Sequence, residues 1–251
     1  RIELCAGLID GGVTPSVGMI EAAVAATSLP IGVLIRPRPG DFVFDKDEVG
    51  LMVRDIEAVG AAGAAGVVIG ALTTDGGPDV ETTGQLVAAA KKHDLQTTFH
   101  RAIDMSRDPH EVLMACVKLG IDRILTSGGS NTAIAGASTI ANLVTAARGT
   151  PVTIMAGGGV TEHNVKELVD RTGIVEVHGS FRVAKSCVTQ FKRPGVFMGG
   201  AKENTAESEF KIKLANASRV AIAVAALGDP TITNFPVLAR EERVAETDSA
   251  T

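Results

Sequence analysis

Gln96-Thr97-Thr98-Phe99-His100-Arg101-Ala102-Ile103-Asp104, followed after a short interval by Asp108-Pro109-His110-Glu111-Val112, decides the architecture of this chain. The first half reads as a strand over 96–100 that ends in polar residues. The second half reads as a helix start. Asp108 caps it, and Pro109 stands at the first helical position, where a missing N–H costs nothing. Glu111 completes a capping box. Val112, Cys116 and Leu119 share one face of the helix, the face expected to meet a sheet. This is one β-α unit.

Six further segments repeat the theme. Strands read at 2–5, 31–36, 67–72, 123–127, 152–156 and 175–178. With 96–100 included, the strands start at intervals of 23 to 36 residues. That is the period of a β-α unit, because parallel neighbours need a long crossover. Helices fit the intervening stretches. Thr14-Pro15 reads as a cap and first position for a helix to about residue 27. Asp45 or Lys46 opens one that ends near residues 60–63. Others fit 80–93, 132–148 and, capped by Thr161, 161–171. The pattern predicts an α/β chain with a parallel β/α barrel of the TIM type. Polar residues end nearly every strand, and no G-x-G-x-x-G turn follows the first, which disfavours a doubly wound sheet. A closed barrel needs eight strands and seven are readable. The reading is therefore a barrel over residues 1–228 that lacks its first β-α unit, with that unit lying upstream. Beyond Lys192 the pattern stops. A loop is expected over 193–209, a short strand over 210–214, a helix over 215–227, and an arm or disordered tail over 229–251.

Composition narrows the function. The chain has 251 residues, 45% of them hydrophobic, a net charge of −5 and a pI near 5.6. No basic footprint for nucleic acid is present. No apolar run is long enough for a membrane span, and no secretory signal opens the sequence. Three scattered cysteines make no disulfide framework, which fits a reducing, cytoplasmic setting. Tyr and Trp are absent, which removes the usual platforms for stacking bases. No P-loop, G-x-S-x-G, H-E-x-x-H or C-x-x-C occurs, and no nucleotide cofactor is expected.

In a β/α barrel the chemistry sits at the C-terminal ends of the strands. Side-chain alternation sorts the candidates by face. Cys5 and Glu3 point inward from the first strand, Arg36 from the second, Met155 from the sixth, and Glu176, His178 and then Ser180 from the seventh. His100, Arg101 and Asp104 enter a loop from the fourth. His100 or His178 can serve as an acid–base group, with Asp104 orienting a histidine. Arg36, Arg38 and Arg101 suit an anionic ligand. Gly157-Gly158-Gly159 and Ser180 follow the last two strands, where barrels often seat phosphate on backbone N–H groups. Each group has a plainer reading too. Arg36 can satisfy a buried carboxylate, Arg38 can sit in solvent, and the glycines can serve tight turns. On the residues alone, an enzyme acting on a small anionic or phosphorylated compound is the better reading.

Taken together, the stretches Arg1-Ile-Glu-Leu-Cys5, Gly11–Ser16, Ile35–Phe42, Gly70–Thr73, Thr98–Asp104, Leu125–Gly128 and Gly157–Thr161 resemble the copper homeostasis protein CutC family. The resemblance runs in order from Arg1 to about Met198. It implies a β/α barrel, a cytosolic location, self-association and a part in copper handling. It also implies Cu(I) binding by cysteines near the barrel. One of these matches Cys5; a second lies on the family's first strand, which this chain lacks. The chain departs from the family at Ala156, where Pro is usual, and at Gly179, where Cys is common. Soft Cu(I) favours thiolate and thioether donors. Cys5, Met155 and His178 are the donors expected to complete a site.

Overall fold

The computed structural model describes residues 1–8, 11–193, 196 and 210–228. They divide into two compact units, residues 1–160 with 167–179, and residues 161–166 with the chain from 180 onward.

The first unit alternates strand and helix. Its strands and first helices are β1 (Ile2–Leu4), α1 (Val17–Ala26), β2 (Ile31–Leu34), α2 (Lys46–Ala61), β3 (Gly66–Ile69) and α3 (Val80–Lys91). Then come β4 (Gln96–Phe99), a 3-10 turn (Arg101–Met105), α4 (Pro109–Leu119), β5 (Arg123–Thr126), α5 (Ala137–Ala146), β6 (Thr153–Gly157), α6 (Val165–Thr172) and β7 (Glu176–His178). The seven strands form one sheet in sequential order, every pair parallel. All seven lie where the sequence places them, with ends that differ by no more than three residues. β2, β3 and β5 are buried along their whole length, as expected of parallel strands covered on both faces.

The sheet curls. β1 and β7 are its two edges in the hydrogen-bonding order. Their side chains nonetheless meet: Arg1 Nη2 lies 2.7 Å from Glu176 Oε2, and Glu3 Oε2 lies 3.6 Å from His178 Nδ1. The edges therefore face one another across an interval spanned by side chains.

Helix faces follow the 3.6-residue period. α2 buries Val49, Met52, Ile56 and Val59, and Asp45 caps it through a complete capping box with Glu48. α4 buries Val112, Leu113 and Cys116, while Leu119 is only partly covered. Two cap expectations are corrected. α1 begins at Val17 and is capped by Ser16, whose hydroxyl accepts the Met19 N–H. Thr14 instead accepts the Arg36 N–H at 2.9 Å, so it joins two loops. Asp108 does cap α4, but Glu111 turns away to Arg107 and forms no capping box. An exposed arginine one turn away offers that carboxylate a better partner than a solvated N–H.

The second unit holds an antiparallel ribbon of β8 (Arg182–Ser186) and β9 (Lys211–Ala215), followed by α7 (Ala217–Ala226). β9 and α7 match expectation. β8 was not read as a strand, because Arg-Val-Ala-Lys-Ser is exposed and lacks an apolar run; pairing with β9 makes it one. Asn216 caps α7, and Arg219 grips both oxygens of Glu162 at 2.7 and 2.8 Å. The loop expected over 193–209 falls mostly outside the described residues, and the tail over 229–251 falls wholly outside them. No described helix is long and apolar enough to cross a membrane.

Phe99 is among the largest fully buried side chains and ends the central strand β4. Phe99→Ala is expected to cost about 3–5 kcal/mol, read as a lower midpoint in urea unfolding.

Candidate functional site

At the end of β4 the chain turns at once into the 3-10 turn, and that turn is organised by one carboxylate. Asp104 is only 5% exposed at its side chain. Its Oδ1 accepts from Thr126 Oγ1 at 2.6 Å, Ser127 N at 3.0 Å and Gly129 N at 3.1 Å. Its Oδ2 accepts from Arg101 Nε at 2.7 Å and sits 2.9 Å from Ser127 Oγ. Asp104 thus ties the loop after β4 to the loop after β5, and its donors come from the backbone, two hydroxyls and an arginine. No imidazole is among them. The loop after β5 is tight: a Cβ at Gly128, where φ is +70°, would sit 2.3 Å from the Gly136 carbonyl oxygen. Only glycine fits there.

Arg101 is held by the same cluster. Nε is on Asp104, and Nη2 donates to Ser127 Oγ at 2.7 Å. Its Nη1 has no protein partner among the described residues, and the side chain is 43% exposed. This free edge faces the glycine turn after β6. A Cβ at Gly158 (φ +103°) would lie 3.6 Å from Arg101 Nη1 and 3.1 Å from Ser127 Cβ. The backbone approaches the guanidinium closely because residue 158 has no side chain. Gly159, at φ +68°, continues the turn, and Gly157 stands in register opposite His178. Ser180, expected beside this turn, is exposed and belongs to the second unit.

The other two candidate arginines are engaged in holding loops. Arg36 is buried; Nη1 donates to the Gly12 carbonyl at 3.0 Å and Nη2 to the Gly40 carbonyl at 2.8 Å. It joins the loops after β1 and β2. Arg38 pairs with Glu48 and Asp41 and donates to the Val43 carbonyl, so it braces the entry to α2.

His100 lies inside this arrangement, 5% exposed. Its Nδ1 accepts the Ala102 N–H at 3.2 Å, capping the 3-10 turn. The Phe42 ring lies 4.9 Å away, and the Arg36 guanidinium lies 4.9 Å over that same ring. Burial, aided by the Arg36 charge, pushes the His100 pKa down to about 3. The ring is neutral at physiological pH. With Nδ1 accepting, its proton is on Nε2, which the expectation of a general base at this ring did not foresee.

Two of the expected copper donors, Met155 and His178, line one cavity and stand beside other groups. Met155 Sδ receives Arg1 Nη2 at 3.4 Å, and His178 Nδ1 faces Glu3. Cys5, just past the end of β1, lies beside Gly12, where a Cβ would stand 3.6 Å from its Sγ. Among the described residues, no three His, Cys, Asp or Glu side chains gather as a metal cluster. Glu176, expected at the mouth, is the first residue of β7, level with Met155 in the middle of β6, two residues short of the strand's C-terminal end. There it accepts from Arg1 and from Arg123 Nε at 2.5 Å.

Comparison with known proteins agrees with this fold and adds a lineage. The CutC family model matches residues 1–183. The chain belongs to the CutC family. The mouse copper homeostasis protein cutC homolog is 39% identical over 220 residues, covering 88% of this chain and 79% of the relative. A CutC family protein from Bacteroides fragilis is 46% identical over 80% of this chain and 79% of its own length. A crystal structure of a CutC protein from Streptococcus agalactiae superimposes with a TM-score of 0.67 at 35% identity, covering 71% of this chain and 87% of that one. Deoxyribose phosphate aldolase from Aeropyrum pernix, at 16% identity and a TM-score of 0.53 over 65% and 69% of the two chains, shares the fold. In this CutC-family chain, sequence reasoning missed Thr126, Ser127 and Gly129 as partners of Asp104, and Phe42 as the neighbour of His100. The Thr-Ser-Gly-Gly run after β5 was the available signal, since hydroxyls and glycines at a strand end suit a carboxylate grip.

Two expectations follow. Asp104→Asn replaces an acceptor-only group with one that must present N–H to donors, and is expected to cost about 1–3 kcal/mol in urea unfolding. His100 has a folded pKa below its unfolded value of about 6.5, so the unfolded chain binds the extra proton first. Its contribution is complete above pH 6.5 and is lost as pH falls toward 3, with a slope of about 1.4 kcal/mol per pH unit. Comparing the pH dependence of stability in the native chain and in His100→Asn isolates that slope; equal slopes would refute it.

Proposed function

We propose that this chain serves copper homeostasis in the cytosol by taking Cu(I) as its cargo, with the Cys5 thiolate as donor. The observation that carries this reading is family membership, with relatives from mouse and human named as copper homeostasis proteins. The chemistry of Cys5 is compatible with it. A thiolate is a preferred donor for soft Cu(I), and Cys5 lies just past the end of β1, beside Gly12. Met155 and His178 are the further donors proposed. Self-association, expected from the family, is part of the same proposal and is read by light scattering. An anaerobic Cu(I) competition titration tests the cargo. Cys5→Ser is expected to weaken binding at least tenfold, and an unchanged affinity would remove Cys5 from the role.

A second reading is supported by one specific observation, the unpartnered Nη1 of Arg101 beside the Gly157–Gly159 turn. Here the barrel binds a small anionic or phosphorylated compound. Arg101 supplies a fixed, half-exposed donor, and Gly158 brings backbone to within contact of it. Arg36 and Arg38 shape the surrounding loops. Calorimetry with inorganic phosphate is the test. Binding is expected in the native chain and about tenfold weaker in Arg101→Met; equal binding by both would exclude the seat.

A further inference from the structure

His100 Nε2 is buried and meets no hydrogen-bond acceptor among the described residues. A buried N–H without a partner is costly in a folded protein, and its retention asks for a reason. The proton cannot shift to the other nitrogen, because Nδ1 is occupied by the Ala102 N–H. The ring cannot easily turn either. A Cβ on Gly70, the residue after β3, would lie 2.8 Å from both His100 Cε1 and Nδ1, so the chain has glycine where the ring rests. Phe42 and Phe99 flank it at 4.9 and 5.9 Å. The result is a fixed, neutral donor in an apolar cage, with the Arg36 charge near at hand.

We propose that the His100 Nε2–H is a built donor for the carbonyl or carboxylate oxygen of a small ligand whose phosphate sits at Arg101 and the Gly157–Gly159 turn. This rests on the anionic-ligand reading above and adds to it a ligand class, phosphorylated carbonyl compounds, and a role. His100 polarises an oxygen and exchanges no proton with it. A neutral donor in a dry site, beside a fixed cation, favours negative charge that develops on that oxygen. His100 and Arg101 are consecutive at the end of β4; His100 packs toward Gly70 and Phe42 and Arg101 toward Ser127 and Gly158, so a ligand that meets both reaches across that strand end. Nε2 is closed off from solvent, and entry of the oxygen requires the covering side chains, Phe42 among them, to shift.

The test uses two probes, inorganic phosphate and 2-phosphoglycolate, which adds a carboxylate to the phosphate. It compares the native chain with His100→Asn and His100→Gln. Asn keeps an acceptor for the Ala102 N–H and lacks a donor at the Nε2 position; Gln restores a donor there. Phosphate is expected to bind all three alike. Phosphoglycolate is expected to bind about tenfold tighter than phosphate to the native chain and the Gln variant, and to lose that gain in the Asn variant. In nitrogen-edited NMR the His100 Nε2–H resonance is expected to move with phosphoglycolate and to stay put with phosphate. Phosphate binding with no gain for phosphoglycolate, or a gain retained by Asn, overturns the inference and leaves the anion seat standing. A resonance indifferent to phosphoglycolate also overturns it. If neither probe binds, both the seat and the inference fall.

Discussion

Parallel strand pairing is the constraint on which the rest of this molecule depends. Two parallel neighbours cannot be joined by a tight turn, so each strand must be followed by a crossover, here a helix. Six such steps in sequential order bring seven strand ends to one rim. Residues as distant in sequence as Cys5, Arg36, His100, Ser127 and Gly158 become neighbours of that rim for no reason of their own. The helices cover the outer face, and the sheet curls until Arg1 and Glu3 on one edge meet Glu176 and His178 on the other.

Within the rim, hydrogen-bond satisfaction sorts structural polar groups from available ones. A buried guanidinium or carboxylate must find partners, and the loops supply them. Arg36 takes the Gly12 and Gly40 carbonyls, Arg38 takes Glu48, and Asp104 takes the whole turn after β5. Those groups hold the loops still. Among the described residues, one edge of Arg101 and the Nε2–H of His100 are donors that this sorting leaves without a protein partner. A rim whose polar groups mostly brace loops is a different object from the ring of reactive side chains that a list of polar residues suggests.

The copper lineage and the rim chemistry draw on different residues, and they need not compete. Family membership carries the copper reading, with Cys5 as its local representative. The further donors Met155 and His178 stand beside Arg1 and Glu3. The hard, anion-seeking groups lie on the loops after β4, β5 and β6. A single barrel commonly carries unrelated functions on its loops, so the fold itself argues for neither.

The sequence by itself determined the seven strands, their parallel order, most helix faces and the glycine turns, because apolar period, cap chemistry and loop length are local properties. His100, Arg101, Asp104 and Gly157–Gly159 were placed on the correct rim for the same reason. Tertiary structure alone decided what each polar group does. Alternation tells which face a side chain takes but not its depth along the strand, so Glu176, expected at the mouth, stands deeper, level with Met155 and between Arg1 and Arg123. Nor does spacing reveal partners: Asp104 met Ser127 and Gly129 instead of an imidazole, and β8 exists only because β9 lies beside it. The protonation of His100 was equally hidden, since it depends on burial, on the Ala102 N–H and on the charge of Arg36, three neighbours that only folding assembles.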